Sequence, residues 1–309
     1  MLHPVFIGCD VSKAHLDLFD SQTRTHLRLD NTPAAVEAWL AALGGRDVTV
    51  ILEATGRYDR CLCAALERNG RAYCRVNPAR ARDFARASGL LAKTDAIDAR
   101  MLARMGETLR PAVSTPPDPA RRRLADLHAR RDQLVSMRQQ ERARLHGSEP
   151  AERDSLERHL AWLDAEIAMV EEACSNLVQA DERLSEQNAR LRSIPGIGPV
   201  TAFTLIALMP ELGEGSSKAM AALAGLAPFN VDSGLQRGQR HIRGGRKRVR
   251  DALYMAALVA HRLRKPFAGT TQAMAAKGKP FKVMIIAIAR KILVIANALI
   301  RDRTTFMSA

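Results

Sequence analysis

The chain has 309 residues, which at about 100 to 200 residues per domain predicts two or three compact units, each able to bury a core. Hydrophobic residues make up 47% and charged residues 26%, far from the composition of a disordered chain. The net charge of +14 favours a polyanionic partner, and residues 193–309 hold nearly all of it, with eighteen basic side chains against five acidic.

Five cysteines (Cys9, Cys61, Cys63, Cys74 and Cys174) lack zinc-type or CxxC spacing and predict reduced thiols in a cytoplasmic protein. The N-terminal stretch carries Asp10 and no apolar core of a secretory signal. Residues 283–300 are apolar but contain Arg290 and Lys291, which divide the stretch into halves shorter than the roughly 20 helical residues that span a bilayer. No membrane partner is expected.

In chain order, an apolar run ends at Asp10, a turn follows at Ser12 and Lys13, and His15, Leu16, Asp17, Leu18 and Phe19 alternate, predicting a β-hairpin with a third strand at 26–29. Thr32 caps a helix that begins at Pro33 and runs to about Leu43. A buried strand at 48–52 ends at Glu53, a helix at 59–69 is closed by Gly70, and a strand at 72–76 precedes helical segments from 78 to 105. Residues 1–110 therefore read as an α/β domain.

Pro111, Pro116, Pro117 and Pro119 mark a boundary. After a helix at about 120–145, Leu156, Leu160, Leu163, Ile167, Val170, Cys174 and Leu177 form a heptad seam, which predicts a coiled coil. The preceding helix has Arg131 and Arg138 on its seam, and the break at 147–150 suits a helical hairpin closed either within the chain or across a dimer. Residues 111–190 are assigned to linker and coiled coil. Residues 191–309 carry apolar helical stretches without a strand pattern and predict an all-α domain.

Three constellations offer chemistry. Asp10 and Glu53 end strands, while Asp95 and Asp98 sit three apart on a helix, so four hard oxygen donors suited to Mg2+ can gather in one cleft. By spacing alone, ordinary strand-end and helix-surface acids explain the four more simply. Gly196 and Gly198, between two helices, resemble a helix-hairpin-helix element that brings backbone N–H groups to a phosphate, although a plain interhelical turn fits as well. Finally, Arg237, Arg240, Arg243, Arg246, Lys247, Arg248 and Arg250 form a basic, glycine-containing segment that reads as a phosphate-backbone surface. Only 13 of 309 residues are aromatic, which argues against single-strand binding by base stacking. Ser233 precedes this segment; by composition it is a turn or cap serine.

The motifs Ile7-Gly8-Cys9-Asp10, Leu52-Glu53-Ala54-Thr55-Gly56, Asn77-Pro78, Lys93-Thr94-Asp95-Ala96-Ile97-Asp98, residues 194–199 and residues 223–228 together resemble the DEDD transposases of bacterial insertion sequences, the "one-ten" family, in that family's order. The resemblance implies a RuvC-like, ribonuclease-H-type α/β N-terminal domain (1–110), a coiled-coil connector (111–190) and an all-α C-terminal transposase domain (191–309). It implies Mg2+ bound by Asp10, Glu53, Asp95 and Asp98, with Ser233 as nucleophile. It also implies donor and target double-stranded DNA, a structured bridge RNA and a nucleoid-associated location, and because two duplexes must be cut and exchanged, dimers that join into a tetramer are expected. Cys9 before the first Asp and Gly-Arg-Lys after Gly244 depart from the usual pattern. Two further readings stand beside this one: a metal-dependent junction nuclease using water, and a non-catalytic nucleic-acid-binding protein.

Overall fold

The computed structural model describes residues 4–54, 56–89, 95–116, 118–229, 232–233, 236–237, 241–263 and 266–307. The chain forms two compact units, residues 1–116 and 117–309.

In the first unit, β1 (Val5–Val11), β2 (His15–Asp20), β3 (His26–Asp30), β4 (Val48–Glu53) and β5 (Ala72–Val76) make one sheet in the order β3-β2-β1-β4-β5. The first three strands are antiparallel neighbours, and β4 and β5 add to β1 in parallel. Strand alternation sorts the side chains onto two faces. Ile7, Cys9, Leu16, Leu18, Val50 and Leu52 pack with Val36, Trp39 and Leu40 of α1 (Pro33–Ala42) and with Leu62 and Leu66 of α2 (Arg60–Arg68). Thr32 caps α1 as expected, accepting from the Ala35 N–H with Pro33 in the first turn.

The opposite face carries Phe6 and Ile51, which pack with Ala81 of α3 (Pro78–Ala87) and with Met101, Leu102 and Met105 of α4 (Asp95–Leu109). Phe19 packs there against Ala99 and Ala103. Helix α4 lies very close to β1. A Cβ on Gly8 would stand 1.9 Å from the Ala99 carbonyl oxygen, so only glycine admits the helix at this distance.

In the second unit, α5 (Pro119–Leu145) and α6 (Pro150–Gln179) form an antiparallel hairpin within the chain. Leu134, Leu163 and Ile167 pack across it. The two seam arginines find acids on α6, Arg131 at 2.7 Å from Glu171 and Arg138 at 2.6 Å from Asp164. At its base, Leu124, Cys174 and Val178 enter one core with α7 (Glu182–Arg192), α8 (Pro199–Leu208), α9 (Ser217–Leu223), α10 (Lys247–Arg262) and α12 (Phe281–Asp302). α11 (Ala268–Ala276) lies between α10 and α12 in the chain. The hairpin and the C-terminal helices thus share a core, and no break between compact units falls near residue 190.

Two expectations need correction. The C-terminal region is not wholly helical: β6 (Pro228–Phe229) pairs with β9 (His241–Ile242), and β7 (Asp232–Ser233) with β8 (Gln236–Arg237). Strands of two residues are too short for alternation to reveal them. Arg290 and Lys291 also do not divide the last apolar stretch, because α12 runs unbroken for 22 residues and is long and apolar enough to span a bilayer. Its Ile285, Ile288, Ala289, Ile292, Leu293 and Ala296 are buried in the core instead. None of the five cysteines forms a disulfide.

Candidate active site

Asp10 and Glu53 are the penultimate residue of β1 and the last of β4. The parallel register pairs Gly8 with Ile51 and Cys9 with Leu52, so the next step sets Asp10 beside Glu53 on the face covered by α4. Both are partly buried. Asp98 precedes Ala99, whose carbonyl overlies Gly8, and is also partly buried. Asp95 opens α4 one turn earlier; its side chain lies outside the described residues, as do Lys93 and Thr94.

The backbone therefore brings two strand ends and one helix N-terminal turn to the same edge of the sheet. Among the described residues, no three His, Cys, Asp or Glu side chains gather as a metal cluster. The donors themselves, carboxylates on rigid elements, are of the kind that suits a hard divalent cation.

The loop after Glu53 is tied down by Asp59, buried at 1% exposure, which accepts from Arg75 Nε of β5 at 2.6 Å. Asn77 caps α3 by accepting from the Ala79 N–H at 2.8 Å, which explains the Asn-Pro pair. Burial beside Asp10 and Asp17 pushes the Cys9 thiol well above its ordinary range, leaving it a neutral packing group.

In the second unit, Ser233 ends β7 and pairs with Gln236; its side chain lies outside the described residues, as do Arg240 and the Arg237 side chain. Gly198 N-caps α8 in open space. Gly196 serves packing: at φ +95°, a Cβ there would stand 2.4 Å from the Ala256 carbonyl oxygen of α10. Gly245 likewise lies against the backbone of Gly225, within the Leu-Ala-Gly-Leu-Ala-Pro motif, and the Arg246 N–H donates to the Leu223 carbonyl at 2.7 Å.

Much of the basic segment has partners inside the protein. Arg246 makes a bidentate pair with Glu211 at 2.6 and 2.7 Å and donates to the Leu208 carbonyl. Arg250 donates to the Gly244 carbonyl at 2.6 Å, and exposed Lys247 meets Asp251 at 2.6 Å. Arg248 pairs with Asp132 and donates to His128 Nδ1 at 2.8 Å. Arg243 is exposed.

Sequence reasoning missed the centre of this last network. His128 is 2% exposed, and its Nε2 stands 2.6 Å from the Thr204 hydroxyl of α8. Because Nδ1 accepts from a guanidinium, the ring is neutral with its proton on Nε2. Burial, reinforced by the Arg248 charge, lowers its pKa to about 4. A lone histidine in a basic helix gives no sign of partners 76 and 120 residues away.

Residues 7–148 match a family described as DEDD transposases of the IS110 type, and residues 188–272 match the transposase IS116/IS110/IS902 family. The chain is 31% identical to a pilin gene-inverting protein of Moraxella lacunata and 33% identical to one of Moraxella bovis, over 97% of both chains in each case. An uncharacterized 43.6 kDa protein of insertion element IS110 from Streptomyces coelicolor is 28% identical over 38% of this chain and 30% of its own. The chain belongs to the IS110 family of DEDD transposases, enzymes of DNA strand cleavage and transfer.

Proposed function

We propose that this transposase is a site-specific DNA recombinase in which Ser233 attacks the scissile phosphate and a Mg2+ site formed by Asp10, Glu53, Asp95 and Asp98 supports the reaction. The observation that carries the metal half is the register that sets Asp10 beside Glu53 under the N-terminal turn of α4. When bound, the cation supplies charge stabilisation at phosphate oxygens. The relatives named for inverting pilin genes support recombination between defined sites.

The Ser233 hydroxyl oxygen forms the new bond to phosphorus as the bond to a deoxyribose oxygen breaks, leaving a phosphoserine link to DNA. The exposed Arg243, with Arg237 and Arg240 in the same segment, would hold phosphates beside it. The carboxylates lie in the first unit and Ser233 in the second, so both units serve the reaction, in one chain or between chains of a dimer that doubles to a tetramer. The family resemblance implies a structured bridge RNA as a partner, and cationic charge with few aromatics suits a partner that reads sequence by base pairing.

The test is covalent capture. Wild-type protein with its element-end DNA and RNA should yield a protein–DNA adduct stable in denaturing gels. Ser233→Ala should lose the adduct and retain DNA binding. An adduct that persists in Ser233→Ala overturns the nucleophile assignment, and cleavage without any adduct in the wild type favours water as the nucleophile.

A further inference from the structure

Cross-strand register sets four charged residues in one row across the sheet. Arg28 of β3 lies opposite Asp17 of β2, Asp17 lies opposite Asp10 of β1, and Glu53 of β4 stands one step beyond the Cys9–Leu52 pair. All four belong to the α4 face, since Phe19, two residues from Asp17, and Ile51, two from Glu53, both pack against α4.

Opposed residues of an antiparallel pair carry their Cβ atoms about 4.5–5.5 Å apart, and like charges there repel. Asp17 is only 9% exposed, so its carboxylate needs compensation. Arg28 supplies it with two parallel bonds, Nε to Oδ1 at 2.8 Å and Nη2 to Oδ2 at 3.0 Å. The geometry of a planar fork on an acid directly across from Asp10 goes beyond a solvated surface pair.

We infer that Asp17 and Arg28 are a positioning pair for the cation site: Arg28 holds the Asp17 carboxylate on β2, keeping it from joining Asp10 as a further ligand. This rests on the reading of Asp10 as a cation ligand. Mg2+ in phosphoryl chemistry keeps coordination positions for water and substrate oxygens and uses few protein carboxylates. An extra carboxylate would bind the ion more tightly and occupy a position that DNA needs. Removing Asp17 alone has the opposite effect, because it leaves a guanidinium next to Asp10 and repels the cation.

The two single substitutions should therefore move cation affinity in opposite directions. In calorimetric titration of the full-length protein with MnCl2 and no nucleic acid, Arg28→Gln should tighten Mn2+ binding about three- to ten-fold and Asp17→Asn should weaken it by a similar factor. The double variant should return to within about two-fold of wild type. In DNA cleavage, the Asp17→Asn defect should be recovered by raising Mg2+, and the Arg28→Gln defect should persist at saturating Mg2+. A pair that only holds β2 to β3 would lower the melting temperature in both variants without opposite affinity shifts, and that result overturns the inference.

Asp10→Asn separates the two claims. If it leaves Mn2+ binding unchanged, the cation-site reading fails and the inference falls with it; if it abolishes binding while the singles show no opposite shifts, only the inference fails. Should Arg28→Gln not fold, Asp17→Asn and the double variant still decide it, since the first must weaken binding and the second must restore it.

Discussion

Asp10 and Glu53 stand at the ends of neighbouring strands whose register follows from seven- and six-residue elements with buried alternation. Ser233 and Arg237 belong, among the described residues, to two-residue strand pairs between helices, and the arginines that follow run on through Arg246, the N-cap of α10, to Arg248 and Arg250 in its first turn. In the first region a sheet determines where each carboxylate stands. In the second, Arg246, Arg248 and Arg250 are engaged with the protein's own acids, carbonyls and a histidine. Charge counted along a sequence thus overstates the charge offered to a ligand, whereas an acid at a strand end is located by the backbone itself.

The largest contrast should come from Gly8→Val, which drives a side chain into the Ala99 carbonyl and lifts α4 from β1. The expected loss is about 3 kcal/mol in the first unit, read as a fall in its melting transition with the second unit's transition unchanged. One shared shift of both transitions would mean that the α4 seat does not act locally.

A smaller effect, confined to the second unit, concerns pH. His128 has a folded pKa of about 4 against an ordinary 6.5, so the unfolded chain binds the proton more readily. Its contribution is complete above about pH 6.5 and is lost as pH falls through about 4. Denaturant melts between pH 7 and 4 should show this slope in wild type and a flatter one in His128→Gln. Equal slopes would remove His128 as the cause.

The smallest effect tests the arginines. Arg243→Ala should weaken DNA binding a few-fold and reduce the salt slope by about 1. Arg248→Ala should leave the slope unchanged and lower the melting temperature, because it removes one partner each from Asp132 and His128. A reduced salt slope in Arg248→Ala would return that residue to the DNA surface.

The sheet was readable from local signals: the alternation at 15–19, the Thr32–Pro33 start of α1, and the buried run ending at Glu53 all act over a few residues. The same alternation concealed Asp17. It reads as the solvent side of a half-buried hairpin, and only α4, returning from 80 residues later, turns that side into an interior. The hairpin α5–α6 is legible in the break at 147–150, but its closure within the chain is not, since that brings Arg131 and Arg138 to acids on α6 and Leu134 to Leu163 and Ile167. The inward turn of Arg246 and Arg248 was unreadable because their partners lie 35 to 120 residues away. Periodicity records which face is apolar and carries no information on which distant residue will meet it.

The late arrival of α4 has a consequence for synthesis. A nascent chain that has emerged only as far as β5 can pair all five strands, yet Phe6, Phe19 and Ile51 still lack the helix that covers them. Until residue 109 clears the ribosome, that apolar surface is open to chaperones and to other unfinished chains. Fragments ending before α4 should therefore aggregate, and trimming this protein towards a minimal catalytic piece must spare everything through Leu109.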